Sequence, residues 1–268
     1  MDDHFQQVSA GFSLKAQVYD AFGEGHPNLE RMRAKVYAHA LSLLRPGDRI
    51  LELNAGTGAD AAFFARQGYR VHATDLSSGM VAAIAAKAAR PELDGRLTYQ
   101  QISFTDLAAV APGPYQYIYS NFGGLNCIPD LGMVAKQINS VLAPGGRVTW
   151  VIMPPIAPWE LALAFKGQFR MAARRLRPGG VRAHVEGAFF QVHYFTPGQV
   201  MRALGGDFTR LALEGLSIFT PPADRKEFAL RRPRLYRFLT GLDERMCRLP
   251  PFRGWGDFFI LSAEYRPQ

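Results

Sequence analysis

The stretch Glu52-Leu53-Asn54-Ala55-Gly56-Thr57-Gly58 joins the end of an apolar run, Arg49 to Leu53, to a helical pattern that starts at Asp60. Glycines in such a turn let backbone N–H groups approach a ligand, and the helix N-terminus that follows offers unpaired N–H groups to negative charge. A plain tight turn would use Gly56 and Gly58 equally well, so the loop by itself says only that a nucleotide-like cofactor would fit. Asp75 narrows the reading. It follows the next run of strand character, 17 residues beyond Gly58, where one carboxylate can accept from both hydroxyls of a ribose. A dinucleotide fingerprint, G-x-G-x-x-G, would need glycine at position 61, which is Ala61. That fingerprint tolerates alanine there, so the spacing weighs against a nicotinamide cofactor without removing it.

The elements that must position these residues alternate strictly. Strands are predicted at Arg49–Leu53, Arg70–Thr74, Leu97–Ile102, Tyr115–Ser120 and Arg147–Met153, with helices at Asp60–Arg66, Ser77–Ala89 and about Asp130–Leu142. Strand and helix in turn imply an α/β fold whose parallel sheet is covered by helices on both faces. Pro154-Pro155 and Pro158 then interrupt the pattern, and an amphipathic basic segment from Trp159 to Leu176 reads as an insertion above the sheet. Gly187–Phe195 alternates like a strand, Pro197–Leu204 is a short helix, Thr209–Phe219 a strand, Asp224–Leu249 helical and Asp257–Tyr265 a last strand. The expected division is a helical cap over 1–45, a cofactor-binding core over 46–153, a lid and acceptor region over 154–206, and a C-terminal completion of the sheet over 207–268.

Composition excludes a disordered chain: 48% of the 268 residues are hydrophobic. No run of about 18 apolar residues occurs, and the acidic start Met1-Asp2-Asp3-His4 is unlike a secretion signal, which together predict a cytoplasmic protein with no membrane span. Cys127 and Cys247 lie far apart with no Cys/His grouping, so no metal site is expected. The net charge of +8 is lopsided: residues 1–150 hold 13 Lys/Arg against 13 Asp/Glu, and residues 151–268 hold 18 against 10. Two arginine-rich runs, Arg170 to Arg182 and Arg225 to Arg237, carry most of the excess. They suit a solvated helix face, an anionic acceptor, a nucleic acid or an acidic membrane surface.

With the loop, Asp75 and the alternation in view, the sequence resembles the class I S-adenosylmethionine-dependent methyltransferase family, whose first motif reads approximately E-x-G-x-G-x-G and whose second ends in an acidic residue. The likeness covers Leu44 to Val151 closely and the rest in outline. It implies a Rossmann-like, seven-stranded, mostly parallel sheet of order 3-2-1-4-5-7-6 with the last strand antiparallel, N-terminal helices, and an insertion after strand 5. It implies S-adenosylmethionine as cofactor, with Glu52, Asn54, Ala55, Gly56 and Gly58 around the methionine part, Asp75 on the ribose, and Leu76 and Met80 on the adenine. Ser103 and Phe104 would meet the adenine edge, and Asn121 would stand beside the methionine moiety. Asn54 replaces the usual first glycine, a change that asparagine's tolerance of positive φ permits. Ser103 replaces the common acidic residue and can still accept a hydrogen bond.

The resemblance also nominates residues for the chemistry. Methyl transfer needs alignment and dryness more than it needs a base. Tyr19, beside Asp20, falls where small-molecule members close over the cofactor. His184 and His193 are the candidate general bases, or else hydrogen-bonded structural residues, because they precede the helix at Pro197 in the region that covers the acceptor in related enzymes; His193 leads, since Gln191, His193 and Phe195 share one face of an alternating segment. Asn121-Phe122-Gly123-Gly124 lacks the [DN]-P-P-[YFW] pattern of the branch that methylates nucleobases and glutamine amides. Trp150, Trp159, Phe165, Phe169, Phe189, Phe190, Tyr194 and Phe195 would suit a flat or lipophilic acceptor, and Asn126 and Cys127 are candidate pocket residues or loop caps. The leading expectation is methylation of O, N or C of a small metabolite, anionic or aromatic. An RNA acceptor on the basic second half is disfavoured by the lack of a recognition module and of aromatic interleaving. A cofactor-binding regulator without catalysis is the third reading, and the oligomeric state stays open.

Overall fold

The computed structural model describes residues 3–23, 25–111, 113–223 and 225–267, with the side chains of 3, 17–23 and 185 set aside. Two helices, α1 (Asp3–Gly23) and α2 (Pro27–Leu43), precede the alternating part. Then follow β1 (Arg49–Leu53), α3 (Ala59–Arg66), β2 (Arg70–Asp75), α4 (Ser78–Ala88), β3 (Leu97–Gln101), β4 (Tyr115–Ser120), α5 (Gly132–Val141) and β5 (Leu142–Ile152). The insertion holds α6 (Pro158–Leu161), α7 (Phe169–Ala172), β6 (Val181–Val185) and β7 (Ala188–Val192). The chain closes with α8 (Pro197–Leu204), β8 (Phe208–Leu216), α9 (Lys226–Arg231), α10 (Pro233–Met246) and β9 (Phe258–Tyr265).

Seven strands form one sheet in the order β3-β2-β1-β4-β5-β9-β8, which is the order the resemblance implied. β1 to β5 pair in parallel, and β9 runs antiparallel to both β5 and β8. Central strands are buried on both faces, which is why Ile50, Leu51 and Leu53 of β1 are all fully buried and the run reads as apolar but for Arg49 at its start and Glu52. In β4 the period of two separates the faces: Tyr117 and Tyr119 join a core with Met32 and Val36 of α2, while Ile118 joins one with Val134 and Ile138 of α5.

Packing sets three stretches of the second half. The basic segment from Trp159 to Leu176 forms four short turns, broken at Gly167, whose φ of +73° ends the second. Val181–Val185, passed over in the sequence, is a strand that pairs with β7 in a two-stranded hairpin outside the main sheet. The helix expected over Asp224–Leu249 divides at Arg232, because Pro233 has no N–H to donate into the preceding turn. Among the described residues, no helix is long and apolar enough to cross a membrane.

Polar groups tie the outer elements to the sheet. His39 of α2 bonds Glu214 of β8 through Nδ1 (2.9 Å) and Ser262 of β9 through Nε2 (2.8 Å), and Arg248 donates to Glu214 (3.0 Å). Burial pushes the Glu214 carboxyl up, but hydrogen bonds from His39 and Arg248 outweigh it and hold it at about 2, against an ordinary 4.5. A carboxyl depressed on folding stabilises the fold above its unfolded value and loses that contribution as pH falls toward the folded one. Acid unfolding of the wild type should therefore steepen as pH falls from about 5 to about 2, and Glu214→Gln should flatten that slope. Urea melts across this range decide it; equal slopes would mean that the pair contributes nothing.

Candidate functional site

The loop after β1 owes its shape to three left-handed residues. Asn54, Gly56 and Gly58 have φ of +47°, +57° and +77°. Asparagine holds its position because its side chain is bonded on both sides: Ser120 Oγ donates to Oδ1 (2.8 Å) and Nδ2 donates to the Asn121 carbonyl (3.4 Å). A Cβ on Gly56 would meet nothing within 4 Å, so the backbone there faces open space, whereas one on Gly58 would press on Ile84 at 3.0 Å. Gly56 lines a cavity and Gly58 is packing for α4.

That cavity, about 270 Å³, collects residues from separate elements at the C-terminal ends of the parallel strands. Asn54, Gly56, Asp75, Leu76, Met80, Ser103, Phe104 and Asn121 all line it. Asp75 accepts from Gly56 N–H (2.9 Å) and Ser77 N–H (2.8 Å), so its carboxylate braces the loop and the start of α4 while facing the cavity. Burial raises its pKa, and the backbone hydrogen bonds from Ser77 and Gly56 oppose the rise. Ser103 exchanges a hydrogen bond with Thr105 Oγ1 (2.7 Å). Asn121 is held by donating to Asp60 Oδ2 (2.6 Å) and accepting from Phe122 N–H (2.8 Å).

Glu52 and Ala55 stand behind this lining rather than in it. Glu52 is 2% exposed, and its Oε2 has no hydrogen-bond partner among the described residues. Burial first, and then the neighbouring Asp60, push its carboxyl well up. Asp60 itself is surrounded by Tyr37 (2.7 Å), Tyr119 (3.2 Å), Asn121 and Arg33 (3.3 Å).

The structure adds a wall that the sequence reading overlooked. Phe5, Val8 and Phe12 of α1 line the cavity, and their spacing of i, i+3, i+7 was the available signal. Helix α1 lies across α4 so closely that a Cβ on Gly79 would come within 2.4 Å of the Ser13 carbonyl oxygen. Alanine would by itself favour helix α4 by roughly 0.5–1 kcal/mol. Gly79→Ala should nevertheless lower stability by about 1 kcal/mol and speed proteolytic cleavage within α1, because α1 must lift away. A more stable variant with unchanged cleavage would show that the helices are not in contact in solution.

The proposed lid residues are arranged differently from the expectation. Ala183, Phe190 and Val192 of the hairpin face the cavity, so Gln191 and His193 belong to the other set of positions. His184 is exposed, tilted against Phe189 with ring centroids 4.6 Å apart and accepting from Gly187 N–H (3.1 Å) at its Nε2. His193 is half-buried outside the cavity lining, and burial followed by His4 holds its imidazole below the ordinary 6.5. Tyr19 lies outside the described side chains. Asn126 is a brace: it donates to the His193 carbonyl (2.6 Å) and the Met153 carbonyl (3.2 Å) and accepts from Met153 N–H (2.9 Å). Cys127 does line the cavity, with burial pushing its thiol up to about 12, so it stays protonated near neutral pH. Of the aromatic residues expected around the acceptor only Phe190 lines this cavity; Trp150 is core, and Phe165, Phe169 and Phe189 point to solvent.

A seven-stranded sheet of this order, with a glycine loop after its first strand and an acidic residue ending its second, defines the class I methyltransferase fold. Residues 50–146 match the methyltransferase domain family model, so this part of the chain is a methyltransferase domain of the class I, S-adenosylmethionine-dependent kind. It is 36% identical over 171 residues to a demethylmenaquinone methyltransferase of Beutenbergia cavernae, covering 62% of this chain and 66% of that one. It is 29% identical over 179 residues to a ubiquinone biosynthesis O-methyltransferase of Xanthomonas campestris, covering 66% and 72%. A protein-L-isoaspartate O-methyltransferase of Methylorubrum populi is matched over 59% of its length, so the chain spans somewhat under two thirds of the first of these relatives and of this one. Among solved structures, the [4+2]-cyclase SpnF superposes with a TM-score of 0.64 at 16% identity, covering 98% of this chain and 97% of that one. The 1,6-didemethyltoxoflavin-N1-methyltransferase of Burkholderia thailandensis gives 0.56 at 16%, covering 98% and 88%. A cyclase in this company means that the fold by itself does not specify methyl transfer.

Proposed function

We propose that this protein binds S-adenosylmethionine in the cavity above the Asn54–Gly58 loop and moves its methyl group to a small, largely apolar acceptor. The observation that carries the reading is the union, in one cavity, of the open backbone at Gly56, the Asp75 carboxylate and a wall of Leu76, Met80, Ile102 and Phe104. Asp75 retains lone pairs for a ribose diol beyond its two backbone bonds. The apolar wall suits an adenine face. Buried Glu52, behind that lining, has an oxygen lacking a partner among the described residues, and it would meet an ammonium group such as that of a methionine moiety through a bridging water.

The cofactor supplies an electrophilic methyl group on a sulfonium. The chain supplies alignment and exclusion of water, through α1 and the hairpin that face each other across the cavity: the rings of Phe12 and Phe190 lie 5.7 Å apart. Among the described residues, the lining of this cavity contains no Lys or Arg, which favours the apolar or aromatic acceptor over the anionic one. The names of two relatives, a demethylmenaquinone and a ubiquinone biosynthesis methyltransferase, agree with that choice. Incubating cell extract with the protein and methyl-labelled cofactor, followed by mass spectrometry, tests the proposal. A labelled apolar metabolite is expected, and labelled RNA or no labelled product would overturn it.

Neither histidine is expected to serve as the base, because neither lines the cavity. His184→Ala and His193→Ala should keep turnover within a few-fold of wild type, against the 100-fold or greater loss that removing a working base brings. Rates measured beside melting temperatures separate the cases: a 100-fold loss in a normally folded His193→Ala protein would make His193 the base after all.

A further inference from the structure

We propose that the insertion following β5 docks this protein on an anionic bilayer surface, with Phe165 and Phe169 set among the lipid chains and Lys166, Arg170 and Arg177 against the headgroups. Between residues 161 and 185 the chain has six Lys/Arg and no Asp or Glu. Two of the six serve the fold. Arg174 and Arg175 bind Glu160, and Arg175 also binds Asp257. Lys166, Arg170 and Arg177 are exposed and make no ion pair among the described residues.

Large apolar side chains are interleaved with these cations. Phe165 is 94% exposed and Phe169 68%, and Met171 and Leu176 also face water. Isolated exposed apolar residues are ordinary, but four within twelve positions, rimmed by unpaired cations, form a patch of the kind that marks an interaction surface. Gly167 ends the turn that carries Phe165, so the two rings sit on successive short turns rather than being folded under one helix. The base beneath them is fixed, because Arg174 and Arg175 clamp the segment to Glu160 and Asp257 with contacts of 2.6 to 2.7 Å. Aromatic rings for the acyl boundary with cations for the headgroup level are the two components of interfacial binding, and among the described residues no helix is long and apolar enough to cross a membrane.

The second basic run begins beside the first: Trp159 meets Phe228 of α9 edge-on at 5.2 Å, and Leu230 of α9 is 62% exposed. The charge would also suit a nucleic acid, but the aliphatic Met171 and Leu176 add apolar area without a face for base stacking, which favours lipid. The same insertion continues into β6 and β7, whose inner side chains wall the cavity. That link would bring a lipophilic acceptor close to its source and rests on the function proposed above; the docking surface does not.

Sedimentation of the full chain with phosphatidylcholine vesicles, with and without phosphatidylglycerol, tests the proposal at about 0.1 M and 0.5 M salt. Partition onto the anionic vesicles is expected, weakened by salt and falling at least tenfold in both Phe165→Ser/Phe169→Ser and Lys166→Gln/Arg170→Gln/Arg177→Gln. Melting temperature and S-adenosylmethionine affinity should not move in either variant, so failure of docking is distinguishable from failure of the cofactor assignment. Equal binding to neutral and anionic vesicles, or wild-type partition by the phenylalanine variant, would overturn the proposal. Retention of total RNA without vesicle binding would overturn it in favour of a nucleic acid.

Discussion

Arg175→Met is expected to lower the unfolding free energy by about 3 to 5 kcal/mol, the largest effect of any substitution considered for this fold. The guanidinium is almost completely buried and spends itself on four groups: Glu160 (2.8 Å through Nε), Asp257 Oδ1 (2.7 Å), the Asp257 carbonyl (2.9 Å) and the Pro154 carbonyl (3.4 Å). It also stacks over Tyr194 at 5.2 Å. Glu160 keeps Arg174 when Arg175 is removed, but Asp257, itself buried, keeps no cation among its partners. An ion left alone in a dry site costs far more than the net worth of the pair that held it.

The sign of the pH dependence follows from Asp257. Burial pushes its carboxyl up from 3.8 and Arg175 opposes the rise, so removing the arginine raises it further. A carboxyl raised on folding favours the fold only while protonated, and its penalty grows as pH climbs from the unfolded value toward the folded one. The deficit of Arg175→Met should therefore be larger at about pH 8 than at about pH 5. Asp257→Asn in the same background should restore part of the loss, a coupling that a double-mutant cycle in urea measures. Additive effects would show that the two groups do not interact in solution.

Asp75→Ala is expected to weaken S-adenosylmethionine binding by roughly 1.5 to 3 kcal/mol, about 10- to 150-fold, the scale of hydrogen bonds to a charged group. Part of the loss would come from the loop, since the carboxylate also fixes Gly56 and Ser77. Asp75→Asn separates the contributions, because the amide oxygen can still accept one backbone N–H while losing the charge. Calorimetry with the cofactor and with its demethylated product reads both variants. Normal affinity in Asp75→Ala, or a wild type that prefers a nicotinamide dinucleotide, would remove the cofactor assignment.

The strand order and the part of the cavity lining that follows β1 and β2 were legible in the sequence because their determinants are local. A buried parallel strand must be continuously apolar, as Arg49–Leu53 nearly is, and a turn that brings backbone to a ligand needs residues that accept positive φ, which Asn54, Gly56 and Gly58 supply. The distance from Gly58 to Asp75 is then set by one helix and one strand, so spacing was enough to bring the carboxylate to the loop. Glu52, by contrast, stays behind that cavity, within the field of Asp60 and Arg33, a placement that spacing does not encode.

The opposite wall of the cavity was decided only by the tertiary structure. Phe5, Val8 and Phe12 belong to the first helix, and nothing in their own spacing says that α1 lies over α4; the absence of a side chain at Gly79 permits it. In the hairpin, inward and outward residues exchange places with a shift of one position, and pairing with Val181–Val185 turned Phe190 and Val192 inward and left His193 aside. The arginine-rich segment shows the same limit. Arg174 and Arg175 are clamps and Lys166, Arg170 and Arg177 are free, although all five read alike as charge, because only the folded chain brings Glu160 and Asp257 within 2.7 Å of the first two.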